Sequence, residues 1–119
     1  MNKRRVGRPA REDIRKSVPT FFPIHVREAI KREAEADGLS MSDWLDTKII
    51  EWLTKYQNEA VYIAKTHPRK DNSGMQWVGV QVVLLHDTFD RLQQYAQKFD
   101  VSVAGVVYTV AKRLVEMKA

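Results

Sequence analysis

The sequence predicts a mainly α-helical protein with a short two-stranded antiparallel ribbon, formed by two tandem strand-helix-helix units that pair within one chain. Two observations predict this fold. A β-prone segment followed by two amphipathic helical segments occurs twice along the 119 residues. The two copies also stay in register when the sequence is shifted by 62 positions. Repetition of one supersecondary unit is typical of folds in which neighbouring copies complete a shared core.

The first unit is expected at residues 17–65. Its β-prone run, SVPTFF, ends before Pro23, and its prolines restrict it to an edge strand or a two-stranded ribbon. A helix follows, which Gly38 can end, and Ser40 can cap the next helix. The apolar positions of the first helix are Val26, Ile30 and Ala34. Those of the second are Trp44, Leu45, Ile49, Trp52, Leu53 and Tyr56, with the same spacing continuing at Ala60 and Ile63.

The second unit is expected at residues 76–119, after a linker loop at residues 66–75 that is rich in turn-forming residues. The run QWVGVQVVL predicts its strand. Asp87 is expected to cap one helix and Ser102 the last one. The apolar positions of these helices are Phe89, Leu92, Tyr95, Ala96 and Phe99, and then Val106, Val107, Val110, Leu114 and Val115.

A single unit of this kind cannot stand alone. A lone strand leaves its backbone N–H and C=O groups unpaired, and two short helices bury little apolar surface. Two units meet both requirements, because the strands can pair antiparallel while four helices cover one face of the ribbon. The repeat therefore predicts an intramolecular pseudo-dimer, and chance similarity between amphipathic helices is the alternative explanation.

The positive charge lies in one segment. The chain carries a net charge of +5, and residues 1–16 supply all of it, with seven basic and two acidic side chains. The other 103 residues contain 13 basic and 13 acidic side chains. A flexible basic arm of this kind favours a polyanionic partner, and a solubilising tail is the alternative. The basic residues of the arm are Lys3, Arg4, Arg5, Arg8, Arg11, Arg15 and Lys16.

Several functional classes are disfavoured by composition. The chain has no cysteine, so disulfides and thiolate metal sites are excluded. It has no apolar run near the roughly 20 residues that span a bilayer, and its basic N-terminus lacks the apolar stretch of a secretory signal. The three histidines are far apart, and no catalytic constellation is visible. We therefore expect a soluble cytoplasmic protein that is not an enzyme and has no cofactor, metal or membrane partner.

These residues resemble the ribbon-helix-helix family of the Arc and methionine repressors, here in a tandem two-copy form. The family pattern is a strand ending in an apolar-Pro pair, a helix, a Gly-x-Ser-x-Ser turn and a second helix. The first half matches at Phe22-Pro23 and at Gly38-Leu39-Ser40-Met41-Ser42. The second half matches more loosely at Leu84-Leu85 and at Asp100-Val101-Ser102-Val103-Ala104. The resemblance covers about residues 17–57 and 78–117.

The resemblance implies a double-stranded DNA-binding protein whose ribbon enters the major groove and reads base edges. By position, the base-reading face would contain Ser17, Pro19, Phe21, Gly79, Gln81 and Val83. Gln81 can pair with adenine through two hydrogen bonds, while Phe21 or Val83 can contact a thymine methyl. In the second strand, alternate valines fall on one face, which leaves Gln81 on the opposite, outward face. The first strand can also be placed the other way round, with Val18, Thr20 and Phe22 outward.

The resemblance also implies that the N-terminus of each second helix holds a DNA phosphate. By position, these anchors would be Ser40, Met41, Ser42, Ser102 and Val103. In the arm, Gly7-Arg8-Pro9 resembles the core of AT-hook peptides, which lie in narrow A·T-rich minor grooves. Simple phosphate attraction and an unengaged tail are the alternatives for the arm.

The main functional hypothesis is a sequence-preferring transcriptional repressor or regulator. An accessory protein of plasmid conjugation (a relaxosome component) is the alternative, and an antitoxin or protein-interaction module is the alternative from another class. A bacterial, archaeal, plasmid or phage context is expected from the family. Two non-identical halves predict an asymmetric DNA site, and self-association of chains on DNA stays open.

Overall fold

The structure of the protein, a computed structural model, describes residues 15–66, 74 and 76–118. These residues form four helices and a two-stranded antiparallel sheet, so the predicted mainly helical fold with a short ribbon is confirmed. The elements are β1 (Arg15–Pro23), α1 (Ile24–Ala36), α2 (Met41–Tyr56), β2 (Trp77–Leu85), α3 (His86–Phe99) and α4 (Val103–Lys118). Within the described ranges, no helix has both the length and the apolar character required to cross a membrane.

The ribbon has its centre at one residue pair. Strands β1 and β2 pair antiparallel from Arg15 opposite Leu85 to Pro23 opposite Trp77, with Pro19 opposite Gln81 in the middle. Pro19 and Gln81 are 62 positions apart, which is also the offset of the sequence repeat. Any two residues related by this offset therefore lie equally far from the centre of the ribbon, on opposite sides of it.

The four helices cover one face of the ribbon. Helix α2 packs on β2, and α4 packs on β1. Burial of apolar side chains at this boundary is the main favourable contribution to folding. Fully buried residues from both strands and all four helices form one core: Phe22, Ile30, Leu45, Ile49, Leu53, Val82, Leu84, Leu92, Val106, Val107 and Val110.

The turns between the helices have the same geometry in both halves. Gly38 has φ 72° and Asp100 has φ 55°, so both residues adopt the left-handed conformation that commonly ends a helix. Glycine takes this conformation without steric cost, and aspartate is one of the few other residues that tolerate it. In each turn the next backbone N–H donates to the carbonyl five residues earlier at 2.9 Å, from Leu39 to Ala34 and from Val101 to Ala96.

Three of the expected element boundaries are corrected. Strand β1 begins at Arg15, so the last two residues of the expected arm belong to the ribbon. Helix α2 ends at Tyr56 and does not continue through Ala60 and Ile63, because Val61, Ile63 and Ala64 pack against the core in a non-helical segment. Helix α3 begins at His86, which places Asp87 inside its first turn.

The predicted serine caps are confirmed, whereas Asp87 does not cap α3. Ser40 Oγ accepts the Asp43 N–H at 3.1 Å, and Ser102 Oγ accepts the Gly105 N–H at 2.9 Å. At the start of α3, the cap residue is Leu85, whose side chain makes no cap hydrogen bond. A carboxylate from another helix binds at this end of α3.

That carboxylate belongs to Asp46 of α2, which is only 5% exposed. It accepts the Leu85 N–H at 2.8 Å and the Thr88 hydroxyl at 2.9 Å. The positions 62 residues away from Leu85, Thr88 and Asp46 are Pro23, Val26 and Tyr108, which are also buried. Pro23 has no N–H to donate. Hydrogen bonds to Asp46 therefore hold one end of the ribbon, whereas the equivalent residues at the other end are mainly apolar.

We expect Asp46→Ala to lower the free energy of unfolding by about 2–3 kcal/mol, because the buried Leu85 N–H and Thr88 hydroxyl both lose their acceptor. Urea denaturation followed by far-UV circular dichroism measures the change. Glu51→Ala, which removes a carboxylate at an exposed position of α2, should cost about 0.5 kcal/mol or less. Equal losses in the two variants would contradict the role of Asp46.

Candidate nucleic-acid interface

The face of the ribbon that points away from the helices is the candidate site. Its residues, here called the outer ribbon face, are Ser17, Pro19 and Phe21 of β1 and Gly79, Gln81 and Val83 of β2. Phe21 and Val83 are half-buried, and the other four are exposed. The structure therefore places all six expected ribbon residues on one accessible surface.

Packing decides which side chains of β1 face the helices, a question that the sequence leaves open. Val18 and Phe22 lie in the core, and between them Thr20 is only 2% exposed. The Thr20 hydroxyl donates to the Ala104 carbonyl of α4 at 3.4 Å, which gives this buried polar group a partner. The alternative with Val18, Thr20 and Phe22 outward is therefore excluded.

The outer ribbon face is mostly apolar and has no acidic residue within its strands. Phe21 lies opposite Gly79, and a Cβ atom at Gly79 would be 3.6 Å from its ring. The only charged residues in β1 and β2 are Arg15 and Lys16, both exposed. The strands therefore bring no carboxylate to the outer ribbon face that would repel a polyanion.

Two polar contacts organise this surface. The Ser17 hydroxyl donates to Gln81 Oε1 across the ribbon. Arg15 forms an ion pair with Asp43 in the first turn of α2, with 3.0 Å between Nη1 and Oδ1. The ion pair is partly exposed, so its net contribution to stability is small. The ion pair holds the start of β1 close to the N-terminus of α2.

The N-terminus of α2 lies beside the ribbon. Ser42 Oγ accepts the Val83 N–H at 2.9 Å, so this hydroxyl fastens the first turn of α2 to β2. Ser40 is exposed and caps the helix, while Met41 is half-buried against the core. Of the three anchors expected here, the structure therefore uses the side chains of Ser40 and Ser42 for internal hydrogen bonds and leaves Ser40 accessible.

The N-terminus of α4 has a different environment. Ser102 is exposed and Val103 is half-buried. Next to them, Gly105 has no room for a side chain, because a Cβ atom would lie 2.7 Å from Ser102 Oγ, 3.1 Å from Ile63 Cγ2 and 3.3 Å from the Ala64 carbonyl oxygen. The segment after α2 thus packs against the first turn of α4, and the two expected helix anchors are not equivalent.

Three hydrogen bonds hold that segment in place. The Tyr95 hydroxyl donates to the Glu59 carbonyl at 2.8 Å and accepts the Val61 N–H at 3.3 Å. Further along, the Ala64 N–H donates to Thr109 Oγ1 of α4 at 2.9 Å. This docking was not predicted from the sequence. The signal visible in the sequence is the apolar run VYIA and a glycine in the first turn of α4.

We expect Gly105→Ala to lower the free energy of unfolding by about 1–3 kcal/mol, because overpacking outweighs the higher helix propensity of alanine. Gly79→Ala is the matched control, since its Cβ would make ordinary contact with Phe21. Neither glycine has a positive φ, so the difference in stability between the two variants reports the space available to the added methyl group. Thermal and urea denaturation measure both variants, and a Gly105→Ala protein as stable as the control would show that residues 63–64 do not pack there.

Residues of the arm that were expected to contact DNA, namely Lys3, Arg4, Arg5, Arg8 and Arg11, lie outside the described residues. The described part of the candidate site is the outer ribbon face, flanked by the first turn of α2 and the start of β1. No family model, curated protein or solved structure matches this chain.

Proposed function

We propose that this chain is a sequence-preferring double-stranded DNA-binding protein, made of two tandem ribbon-helix-helix units that form an intramolecular pseudo-dimer. In this proposal the outer ribbon face enters the major groove, and the arm contacts the adjacent groove or the phosphate backbone. Repression or regulation of transcription follows where the bound site overlaps a promoter. The observation that carries the proposal is an exposed, acid-free ribbon face backed by helices.

The dimensions of a ribbon support this mode of binding. The major groove of B-DNA is about 12 Å wide and admits a two-stranded β-ribbon. Paired strands lie about 4.8 Å apart, and alternate side chains point to the same face. Because the inner side chains are buried under the helices, the outer six are the ones available to base edges. Their apolar members suit thymine methyl groups, and Gln81 supplies hydrogen bonds.

The pairing geometry bears on the symmetry of the DNA target. The offset of 62 relates Ser17 to Gly79, Pro19 to Gln81 and Phe21 to Val83, and each pair is symmetric about the ribbon centre. The members of each pair differ in chemistry, so the two halves of the surface are not equivalent. A symmetric homodimer reads a palindrome, whereas this surface should read a non-palindromic site.

Selection of bound fragments from a random duplex pool tests the proposal. We expect one non-palindromic consensus. Gln81→Glu should weaken binding to that consensus by at least about tenfold, because it brings a carboxylate to the groove. Gln93→Glu, the same change on the exposed side of α3, should have a much smaller effect. Absence of duplex binding, a palindromic consensus, or equal losses in the two variants would count against the proposal.

The salt dependence of DNA affinity measures the contribution of the arm. Deleting residues 1–14 removes five basic side chains and retains β1 intact. We expect weaker binding and a slope of log affinity against log salt that is smaller by up to about 4, because fewer counterions are released. Lys112→Gln with Arg113→Gln, in the C-terminal half of α4, is the control and should leave the slope nearly unchanged. An unchanged slope in the deletion variant would remove the arm from the mechanism.

A further inference from the structure

Gln81 occupies the centre of the outer ribbon face. It lies directly opposite Pro19, whose ring offers no hydrogen-bonding group. Its polar neighbour is Ser17, which is paired with Val83 and is therefore diagonal to Gln81 across the ribbon, within reach of a long side chain. The Ser17 hydroxyl donates its proton to Gln81 Oε1.

This hydrogen bond fixes the two ends of the Gln81 amide differently. The oxygen is held towards Ser17 on β1, so the nitrogen points away from it. In the part of the chain that the structure describes, no residue accepts a hydrogen bond from Gln81 Nε2, and the side chain is exposed. The free ribbon therefore offers two N–H donors at its centre, while the acceptor oxygen is turned towards Ser17.

The geometry points to Ser17 as a positioning residue that orients Gln81 as a hydrogen-bond donor, so that the base it meets is guanine in preference to adenine. Guanine presents two acceptors, N7 and O6, in the major groove. Adenine presents one acceptor and one donor, so its bidentate pairing with glutamine needs the amide oxygen to face the base, whereas Ser17 holds that oxygen towards β1. This inference rests on the proposed function and replaces the adenine pairing expected from sequence.

The neighbouring residues make this orientation decisive. The side chains of Pro19, Phe21 and Val83 around Gln81 have no donor or acceptor groups. Gly79 has no side chain at all. Discrimination at the central base position therefore depends on which end of the Gln81 amide faces the DNA.

Nuclear magnetic resonance of the free protein tests the first step without DNA. In Ser17→Ala, the resonance of the Gln81 side-chain carbonyl carbon should move upfield, because that carbonyl loses a hydrogen bond. Ser17→Thr retains a hydroxyl and should leave the resonance near its original position. If the Ser17→Ala spectrum showed no shift at Gln81, the positioning role would be overturned.

Base preference tests the second step. The DNA position contacted by Gln81 is the one whose preference disappears in Gln81→Ala. At that position we expect the intact protein to favour guanine over adenine by about fivefold or more. Ser17→Ala should reduce this ratio to within about twofold of unity, since its amide is free to turn, and Ser17→Thr should restore it.

The outcomes separate the two proposals. A preference for adenine in the intact protein, or a guanine-to-adenine ratio that Ser17→Ala leaves unchanged, would overturn the inference while DNA binding stands. If the intact protein binds no duplex, the proposed function is wrong, and the carbonyl resonance of the free protein still decides whether Ser17 holds Gln81.

Discussion

The pairing of β1 with β2 is the constraint on which the rest of the structure depends. Each strand finds its backbone partner in the other half of the chain, so neither half can satisfy its own hydrogen bonds. The pairing also aligns the apolar residues of both strands on one face, where the four helices cover them. A slip of β2 by one residue would turn Leu84 to solvent and Gln81 into the core. The outer ribbon face exists because packing of the four helices on the opposite face fixes this register.

Much of this arrangement could be predicted from the sequence, because apolar spacing and capping serines are local signals. The parity of β2 follows from its run of valines. The parity of β1 does not, since Thr20 is buried only through its bond to Ala104 of α4. Likewise, Asp87 is a residue type that commonly caps helices, yet the carboxylate that hydrogen-bonds at the start of α3 is that of Asp46 from α2. Contacts between distant elements leave no periodic trace in a single sequence.

The asymmetry of the molecule extends beyond the ribbon. The first turn of α2 has an acidic residue, Asp43, neutralised by Arg15, whereas the first turn of α4 has none and is packed against residues 63–64. In the proposed complex, a phosphate near α2 would compete with Asp43 for Arg15, and a phosphate near α4 would meet the docked segment. The two flanks of the groove would therefore be held with different strengths, and the proposed complex would have a preferred direction on DNA.

The buried contact of Asp46 has a consequence for how chains associate with one another. If β1 paired with β1 of a second chain, the Asp46 carboxylate would meet Pro23, which has no N–H. If β2 paired with another β2, the Leu85 N–H would meet Tyr108 in place of a carboxylate. Burying either mismatch costs free energy that correct pairing avoids. Pairing between like strands of two copies is thereby discouraged, whereas the pairing of β1 with β2 keeps the Asp46 contact.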